Sequence, residues 1–253
     1  MNRPVAAPPA TAVWVGFAAD ALLAMGLMLL LSLAGGIGWA LVQGARGMTD
    51  LASPGILAQM GMALLATGGT AVMLYLARRR ASSAEKASSV AAMYRPRTWL
   101  LAGLTGIAVF VGSLLLSWVF SRLGSSPTPS NVGLMQQARE QYPLLLVLFA
   151  VCLAPCYEEL LFRRVLFGRL AAAGLVLPGI LASSALFALS HEIPGLGGQG
   201  WAGMLQLWLI YGGMGAAFAW LYQRTGTLAA PIAAHALNNA AALVAMMLGM
   251  TAP

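Results

Sequence analysis

The chain has 253 residues, of which 60% are hydrophobic and only 8% are charged. Soluble domains carry about 25% charged residues, so a chain of this composition is expected to fold in lipid rather than in water. The net charge of +7 does not by itself point to a nucleic-acid partner. The composition leaves no soluble module on which a basic binding face could form, so no such partner is expected.

Seven apolar segments approach or exceed the ~20 residues that a membrane-spanning helix needs. In chain order they are residues 13–42, 54–76, 99–120, 142–157, 175–190, 204–222 and 228–248. Backbone polar groups in lipid must be paired within the protein, so these segments predict an all-α polytopic transmembrane bundle of about seven spans, with limits of six and eight. The Ala- and Gly-rich composition favours the inner membrane of a bacterial cell.

The first predicted span is longer than a bilayer requires, and its upstream part contains Asp20. We expect the carboxylate of Asp20 to reach the membrane interface. Arg3 is the only basic residue before this run, and the run exceeds the roughly 7–15 apolar residues of a signal peptide. The first span is therefore expected to be retained rather than cleaved.

Two polar segments, residues 77–98 and 121–141, are predicted to be loops. With a cytoplasmic N-terminus, eleven basic residues lie on the cytoplasmic side and three on the other, as the positive-inside rule requires. The eleven are Arg3, Arg78, Arg79, Arg80, Lys86, Arg95, Arg97, Arg163, Arg164, Arg169 and Arg224, and the three are Arg46, Arg122 and Arg139. The sequence thus predicts a cytoplasmic N-terminus.

The fourth span contains the only two cysteines, Cys152 and Cys156. They lie four residues apart in an apolar run, so we predict small core residues rather than a disulfide or a metal site. This span is short unless its helix continues through Glu158 to a residue near Leu170. In the shorter form, Glu158 and the residues up to Arg164 lie at the end of the span.

The sixth span is rich in small residues, which allow helices to approach closely. They are Gly212, Gly213, Gly215, Ala216 and Ala217. We predict that this span packs tightly against its neighbours.

Ionisable residues inside spans are costly and mark functional sites, and those of the later spans include both histidines of the chain. Glu159 and Arg163 lie four residues apart with the acid first, so they are predicted to form a pair. Glu158 points about 100° away and is left for another partner. His235 and Asn239 lie one turn apart and could present two donors to one developing negative charge.

A carboxylate and two histidines that meet in a helix bundle can hydrolyse a peptide bond in two ways. Glu158 would act as a general base on a water molecule, assisted by His191. Alternatively, Glu158, His191 and His235 would bind Zn²⁺, which itself lowers the pKa of a bound water. The chain has no H-E-x-x-H helix, and ligands on separate helices have no diagnostic spacing, so both routes stay open.

Three motifs together resemble the type II CAAX prenyl endopeptidase family, also called the CPBP or ABI family of intramembrane proteases. The family pattern is E-E-x-x-x-R, F-x-x-x-H and H-x-x-x-N, and here it stands at residues 158–163, 187–191 and 235–239. The resemblance covers roughly residues 142–248. It divides the chain into an N-terminal transmembrane region of residues 1–141 and a protease-like helical core of residues 142–250.

The resemblance implies a role for each of the motif residues that would act on a substrate. Glu158 and His191 would activate a water molecule. His235 and Asn239 would form the oxyanion hole. In the family the site opens towards the cytoplasm, and both metallo and metal-free glutamate mechanisms have been argued for it.

The resemblance also implies that Glu159 and Arg163 hold the site in shape. A site without a cofactor is favoured here because His235 and Asn239 share a helix face, and Zn²⁺ is the alternative. The expected partners are membrane lipid and a membrane-associated protein or peptide substrate. Eukaryotic members act on prenylated proteins, whereas bacterial relatives are linked to peptide processing and bacteriocin immunity.

The order of the spans creates one geometric problem. With simple up-and-down spans, His191 lies about 20 Å from the start of its helix, far from a Glu158 placed near the cytoplasmic end. Either the fifth span begins later and is tilted, or the fourth helix is broken. We expect the fourth helix to be broken at a kink near Pro155, which would place Glu158 deeper and bring it within about 10 Å of His191.

An intramembrane endopeptidase is the leading hypothesis for this chain, and two alternatives belong to other classes. A non-catalytic scaffold or bacteriocin-immunity protein of the same fold would have little use for an unpaired carboxylate in the membrane. A proton- or metal-coupled transporter would predict inverted repeats between the two halves, and the sequence shows none. The substrate and the oligomeric state stay open at this point.

Overall fold

The computed structural model of the protein describes residues 9–48, 54–196 and 198–249, so Arg3 lies outside the described residues. Within these ranges the chain forms nine helices and no strand, which confirms the predicted all-α bundle. The helices are α1 (Ala10–Ala45), α2 (Ile56–Arg78), α3 (Ser83–Met93), α4 (Pro96–Arg122), α5 (Val132–Gln141), α6 (Pro143–Ala172), α7 (Val176–His191), α8 (Trp201–Thr225) and α9 (Ala229–Met247).

Each of the seven predicted spans corresponds to one helix. Six helices of the described residues, α1, α2, α4, α6, α8 and α9, are long and apolar enough to cross a membrane, so the protein is an integral multi-pass membrane protein. Helix α7 has 16 residues and is about 24 Å long, which is less than the ~30 Å hydrocarbon core of a bilayer. Helix α6 continues through Glu158 to Ala172, which confirms the longer form of the fourth span, and the placement of Glu158 and Arg164 at the end of a span is wrong.

The two segments predicted to be loops each contain a helix, α3 and α5. Helix α3 begins with a capping box, in which the Ser82 hydroxyl accepts the Glu85 N–H and the Glu85 carboxylate accepts the Ser82 N–H. A local hydrogen-bond signal of this kind makes a helix without a long apolar run. For this reason hydropathy alone did not reveal α3.

The core of the bundle lies where α6 packs against α7, α8 and α9. Its largest fully buried side chains include Phe167 of α6, Phe187 of α7 and Phe218 of α8. On the outside, many large apolar side chains are exposed, such as Leu29 and Leu41 of α1. Such exposure is expected where lipid rather than water surrounds the helices.

Cys152 and Cys156 are both exposed on α6, so the prediction that they are core residues is wrong. An apolar run does not distinguish the core-facing side of a membrane helix from its lipid-facing side. Two small apolar residues on one face therefore fit either surface equally well.

Asp20 is completely buried, so the expectation that it reaches the interface is also wrong. Its carboxylate accepts from Arg78 Nε at 2.8 Å and from Arg169 Nε at 2.6 Å. Asp20 thus joins α1 to α2 and α6.

Arg79, which follows α2, also contacts α6, because it donates to the Gly168 carbonyl at 2.9 Å. Burial, with repulsion from neighbouring arginines, lowers the pKa of Arg79.

Helix α3 is joined to α6 by a bidentate ion pair between Glu85 and Arg164. Arg164 donates through Nη1 and Nη2 to the two carboxylate oxygens of Glu85, at 2.8 and 2.9 Å. This interaction lowers the pKa of Glu85 to about 2. The prediction that Arg163 lies on the cytoplasmic side is wrong, because Arg163 is fully buried in the bundle.

Two glycines mark the closest helix approaches. A Cβ added at Gly215 would lie 3.0 Å from the backbone of Ser184, so α8 approaches α7 closely there. This contact confirms the tight packing that was predicted for the sixth span from its small residues. Gly212 and Gly213 meet no such neighbour. A Cβ at Gly106 of α4 would lie 2.7 Å from the Ala234 carbonyl of α9.

Candidate active site

Helix α6 is wound more widely on both sides of the segment that carries the paired carboxylates. Residues Leu148–Leu153 and Leu160–Phe167 form π-helical turns, and Ala154–Glu159 between them is α-helical. Such turns are frequent at functional sites in membrane and soluble helices. The helix is therefore not broken at Pro155, and Glu158 lies near the middle of its 30 residues, deep in the bundle.

Pro155 leaves one carbonyl of α6 without its backbone donor. In a π turn the carbonyl of residue 150 pairs with the N–H of residue 155, and proline has none. The Asn239 amide supplies the missing donor, because its Nδ2 donates to the Ala150 carbonyl at 2.8 Å. The neighbouring Asn238 donates to Asn239 Oδ1 at 3.1 Å and so fixes the orientation of that amide. One N–H of Asn239 is left for another acceptor.

Glu159 and Arg163 form the buried pair that the sequence predicted, and both side chains are fully buried. Arg163 Nε lies 2.8 Å from Glu159 Oε2. The other carboxylate oxygen lies 2.9 Å from His235 Nδ1, a contact that the sequence did not predict. The Arg163 guanidinium also packs over the Phe187 ring, 4.8 Å from its centroid. Glu159 therefore holds the ring of His235 in place.

Glu158 faces both histidines. Its Oε2 lies 3.7 Å from His235 Nε2 and 3.9 Å from His191 Nε2, which confirms the predicted proximity of Glu158 and His191. These distances exceed a hydrogen bond, so the three groups surround a common space rather than bonding directly to one another. The Glu158 side chain is 18% exposed and that of His191 is 20% exposed, whereas His235 is almost completely buried.

The ring of His191 is held on both faces. It stacks on Tyr211 of α8, with centroids 4.4 Å apart and an angle of 25°, and it packs against Phe187 at the same distance. Its Nδ1 lies 2.8 Å from the Phe187 carbonyl oxygen. Since a carbonyl only accepts, Nδ1 carries a proton, and in the singly protonated ring Nε2 presents a lone pair towards Glu158.

The ring of His235 is fixed in a similar way. It stacks on Phe218, with centroids 4.9 Å apart and an angle of 29°. Its Nδ1 faces the Glu159 carboxylate, so Nε2 is a donor only when the ring carries both protons. The structure thus brings Glu158, His191 and His235 together and places Asn239 one turn further along α9.

Sequence reasoning missed several residues around this group. Tyr211 packs on His191, Phe218 packs on His235, and the Ala150 carbonyl binds Asn239. Each contact joins residues that are far apart in the chain, and aromatic or alanine residues in an apolar span carry no local signal. No role was predicted for Glu192, which is almost completely buried beside His191.

The residues named for Zn²⁺ have suitable donor atoms, because imidazole nitrogens and a carboxylate are its usual ligands. The contact from His235 Nδ1 to Glu159 is also of the kind that orients metal-binding histidines. Across the described ranges, however, no group of three or more His, Cys, Asp or Glu side chains is spaced to hold a metal ion.

Comparisons with known proteins match the same region of the chain. Residues 140–241 match the sequence profile of the family described as type II CAAX prenyl endopeptidase Rce1-like. YdiL, a candidate membrane peptidase of Bacillus subtilis (strain 168), is 28% identical over 141 residues, which make up 56% of this chain and 52% of that protein.

A second relative is the membrane-embedded CAAX protease MroQ of Staphylococcus aureus (strain USA300). It is 30% identical over 162 residues, which make up 59% of this chain and 58% of that protein. The alignments thus span little more than half the length of the curated relatives that the chain matches. No solved structure gives a significant match.

Proposed function

Residues 140–241 of the chain belong to the CPBP family, to which the type II CAAX prenyl endopeptidases also belong, and from this premise we propose that the protein is an intramembrane endopeptidase. Its substrate would be a membrane-associated or lipidated protein or peptide. The observation that carries the proposal is the position of the Glu158 carboxylate, within 4 Å of Nε2 of two histidines from two other helices.

In the proposed reaction, Glu158 removes a proton from a water molecule held between its carboxylate and His191. The water oxygen attacks the carbon of the scissile carbonyl and forms a tetrahedral oxyanion. When the C–N bond breaks, Glu158 returns the proton to the leaving amine. The lone pair of His191 Nε2 accepts the second hydrogen of the water and so aligns the attacking oxygen.

The oxyanion would be stabilised by His235 and Asn239. His235 can donate from Nε2 only as an imidazolium, because its Nδ1 already faces the Glu159 carboxylate. Two carboxylates, Glu158 and Glu159, then balance the two cations Arg163 and His235, so the buried group is neutral overall. A neutral group is far cheaper to keep in a low-dielectric bundle than an isolated charge.

Asn239 would contribute one N–H to the oxyanion, because its other N–H is bonded to the Ala150 carbonyl. Glu159 and Arg163 would act as positioning residues, since they hold His235 and do not face the common space. This mechanism needs no metal ion, and so we expect the purified protein to retain its activity after treatment with chelators. A loss of activity that Zn²⁺ restores would support the metal route through Glu158, His191 and His235 instead.

The proposal is tested by comparing membrane peptides from cells that express the wild type, Glu158→Gln or Glu140→Gln. Glu140 is an exposed acid on α5 and serves as the matched control. We expect peptides released by the wild type to persist with Glu140→Gln and to disappear with Glu158→Gln. All three proteins should be present in the membrane at the same level.

The release of the same peptides by Glu158→Gln would contradict the hydrolytic role of Glu158. If no peptide depends on the wild type and the Glu158→Gln cells keep their phenotype, a non-catalytic scaffold explains the family fold better. The removal of a general base typically costs 10²–10⁴-fold in rate, so the expected difference is large.

A further inference from the structure

Glu192 is a buried carboxylate for which the proposed mechanism has no use. It directly follows His191 at the end of α7 and is only 2% exposed. Within the described residues, no lysine, arginine or histidine forms an ion pair with it. Burial of an unpaired carboxylate costs several kcal/mol, so we expect this residue to have a structural or functional role that offsets the cost.

The carboxylate of Glu192 binds the connection between α4 and α5, residues 123–131. Its Oε1 accepts the backbone N–H of Ser130 at 2.8 Å. The hydroxyl of Ser130 donates to the backbone carbonyl of His191 at 3.0 Å. One residue of the connection therefore contacts both His191 and Glu192.

The end of α7 also receives a donor from α8. Trp208 Nε1 donates to the backbone carbonyl of Glu192 at 2.9 Å. The last carbonyls of a helix have no partner within it and must be satisfied by other groups. At the end of α7 two consecutive carbonyls, those of His191 and of the following Glu192, are satisfied by two different elements, which fixes the backbone from which the His191 ring projects.

The α4–α5 connection is itself firmly placed, so it can serve as an anchor. Pro127 packs so closely on α8 that a Cβ added at Gly203 would lie 2.9 Å from it. The Thr128 carbonyl accepts a hydrogen bond from Gln199 Nε2. Pro127 and Pro129 also reduce the freedom of the unfolded connection, which lowers the entropy lost when it docks.

We propose that Glu192 is a positioning residue for His191, which it holds towards Glu158 through its hydrogen bond to Ser130 of the α4–α5 connection. The role in catalysis rests on the proposed function, but the positioning of the ring does not. The His191 ring already has Tyr211 and Phe187 on its faces. Glu192 adds the fixed backbone that keeps Nε2 directed at Glu158.

The test uses the fact that the chain has only two histidines. Diethylpyrocarbonate modifies unprotonated imidazole nitrogens, and mass spectrometry of peptides from the purified protein measures the rate separately for His191 and His235. We expect Glu192→Ala to raise the rate at His191 at least about threefold and to leave the rate at His235 unchanged. The control Glu140→Ala, which removes an exposed carboxylate of α5, should change neither rate.

A second variant separates hydrogen bonding from charge. In Glu192→Gln the side-chain oxygen still accepts the Ser130 N–H, so the reactivity of His191 should return to within about twofold of the wild type. The proposal is overturned if His191 reacts at the wild-type rate in Glu192→Ala. It is also overturned if both histidines accelerate together, because the substitution then loosens the whole bundle, or if Gln behaves like Ala.

The same variants also test the proposed function, and their results distinguish a failure of that function from a failure of the positioning role. If Glu158-dependent peptides are found, Glu192→Ala should lower their rate of release about tenfold with unchanged KM, and Glu192→Gln should restore it. If no such peptides exist but His191 alone becomes more reactive, the proposed function fails while the positioning role stands.

Discussion

Glu158 and Glu159 are neighbours in the sequence with opposite surroundings. Glu159 is fully buried against Arg163 and His235, whereas Glu158 is partly exposed and faces two imidazoles. Successive residues of a helix point about 100° apart, so one turn supplies one carboxylate that is paired inside the bundle and one that faces the histidines. The spacing predicted this division, but the contact between Glu159 and His235 spans 76 residues and has no local pattern.

The hydrogen bond from Asn239 to Ala150 gives a prediction at this scale. Asn239→Ala leaves a buried carbonyl without a donor and should lower the free energy of unfolding by about 1–3 kcal/mol. Pro155→Ala restores a backbone N–H that can serve the same carbonyl. In the Pro155→Ala background, Asn239→Ala should therefore cost about 1 kcal/mol less, which thermal unfolding of the four proteins measures.

Activity separates the structural role of Asn239 from its proposed role in the oxyanion hole. The loss of an oxyanion donor costs about 10²–10³-fold in rate, so the double variant should regain stability without regaining peptide release. Equal costs of Asn239→Ala in both backgrounds would show that Pro155 is not the reason for the bond. A double variant with full activity would remove Asn239 from the proposed oxyanion hole.

At the scale of helices, hydropathy predicted the six helices that are long enough to cross a membrane, and also the shorter α7, because a membrane helix must be apolar along its length. It did not predict which side of a helix faces the core, and the cysteines of α6 show the consequence, since both lie outside. The π turns of α6 were equally unpredictable. They depend on which backbone carbonyls of α6 lose their donor at Pro155 and which of them receive one from α9, and a hydropathy pattern contains neither kind of information.

The approach of α4 to α9 depends on a single missing methyl group. A Cβ at Gly106 would lie 2.7 Å from the Ala234 carbonyl, one residue before His235, whereas a Cβ at Gly103 would meet nothing within 4 Å. Gly106→Ala should therefore destabilise the protein by about 1–3 kcal/mol through overpacking. Gly103→Ala should be neutral or slightly stabilising, since alanine is the better helix former.

Thermal unfolding in detergent measures both glycine variants. The contact lies beside the candidate site, so Gly106→Ala should also displace α9 and reduce any Glu158-dependent peptide release. If both variants have the same stability, the close approach of α4 and α9 does not exist in the folded protein.

At the scale of the whole molecule, charge is concentrated at one end of the bundle. Arg78 and Arg169 share Asp20 there, and Arg164 binds Glu85 of α3. The positive-inside rule predicts that this end faces the cytoplasm, although the buried Arg163 does not count towards that prediction. Lateral contacts such as these were not predictable, because the sequence gives the charges but not which helices are adjacent.

Cysteine labelling in intact cells tests this orientation. Both natural cysteines are first replaced by alanine, and a single cysteine is then placed at Ser126 or at Ala84, two exposed positions before α5 and in α3. A membrane-impermeant maleimide should label the cysteine of Ser126→Cys and spare that of Ala84→Cys until the cells are opened. The reverse pattern would show that the N-terminus lies outside.

The shortness of α7 has a consequence for the surrounding membrane. A helix about 24 Å long is shorter than the hydrophobic thickness of an unperturbed bilayer, so lipid thins around it or protein and water fill the space beyond its end. His191 is the last residue of that helix. If the proposed hydrolysis takes place, its water would reach the bundle through the thinned membrane surface at this end, and substrates with short or unwound spans would fit this thinned lipid best.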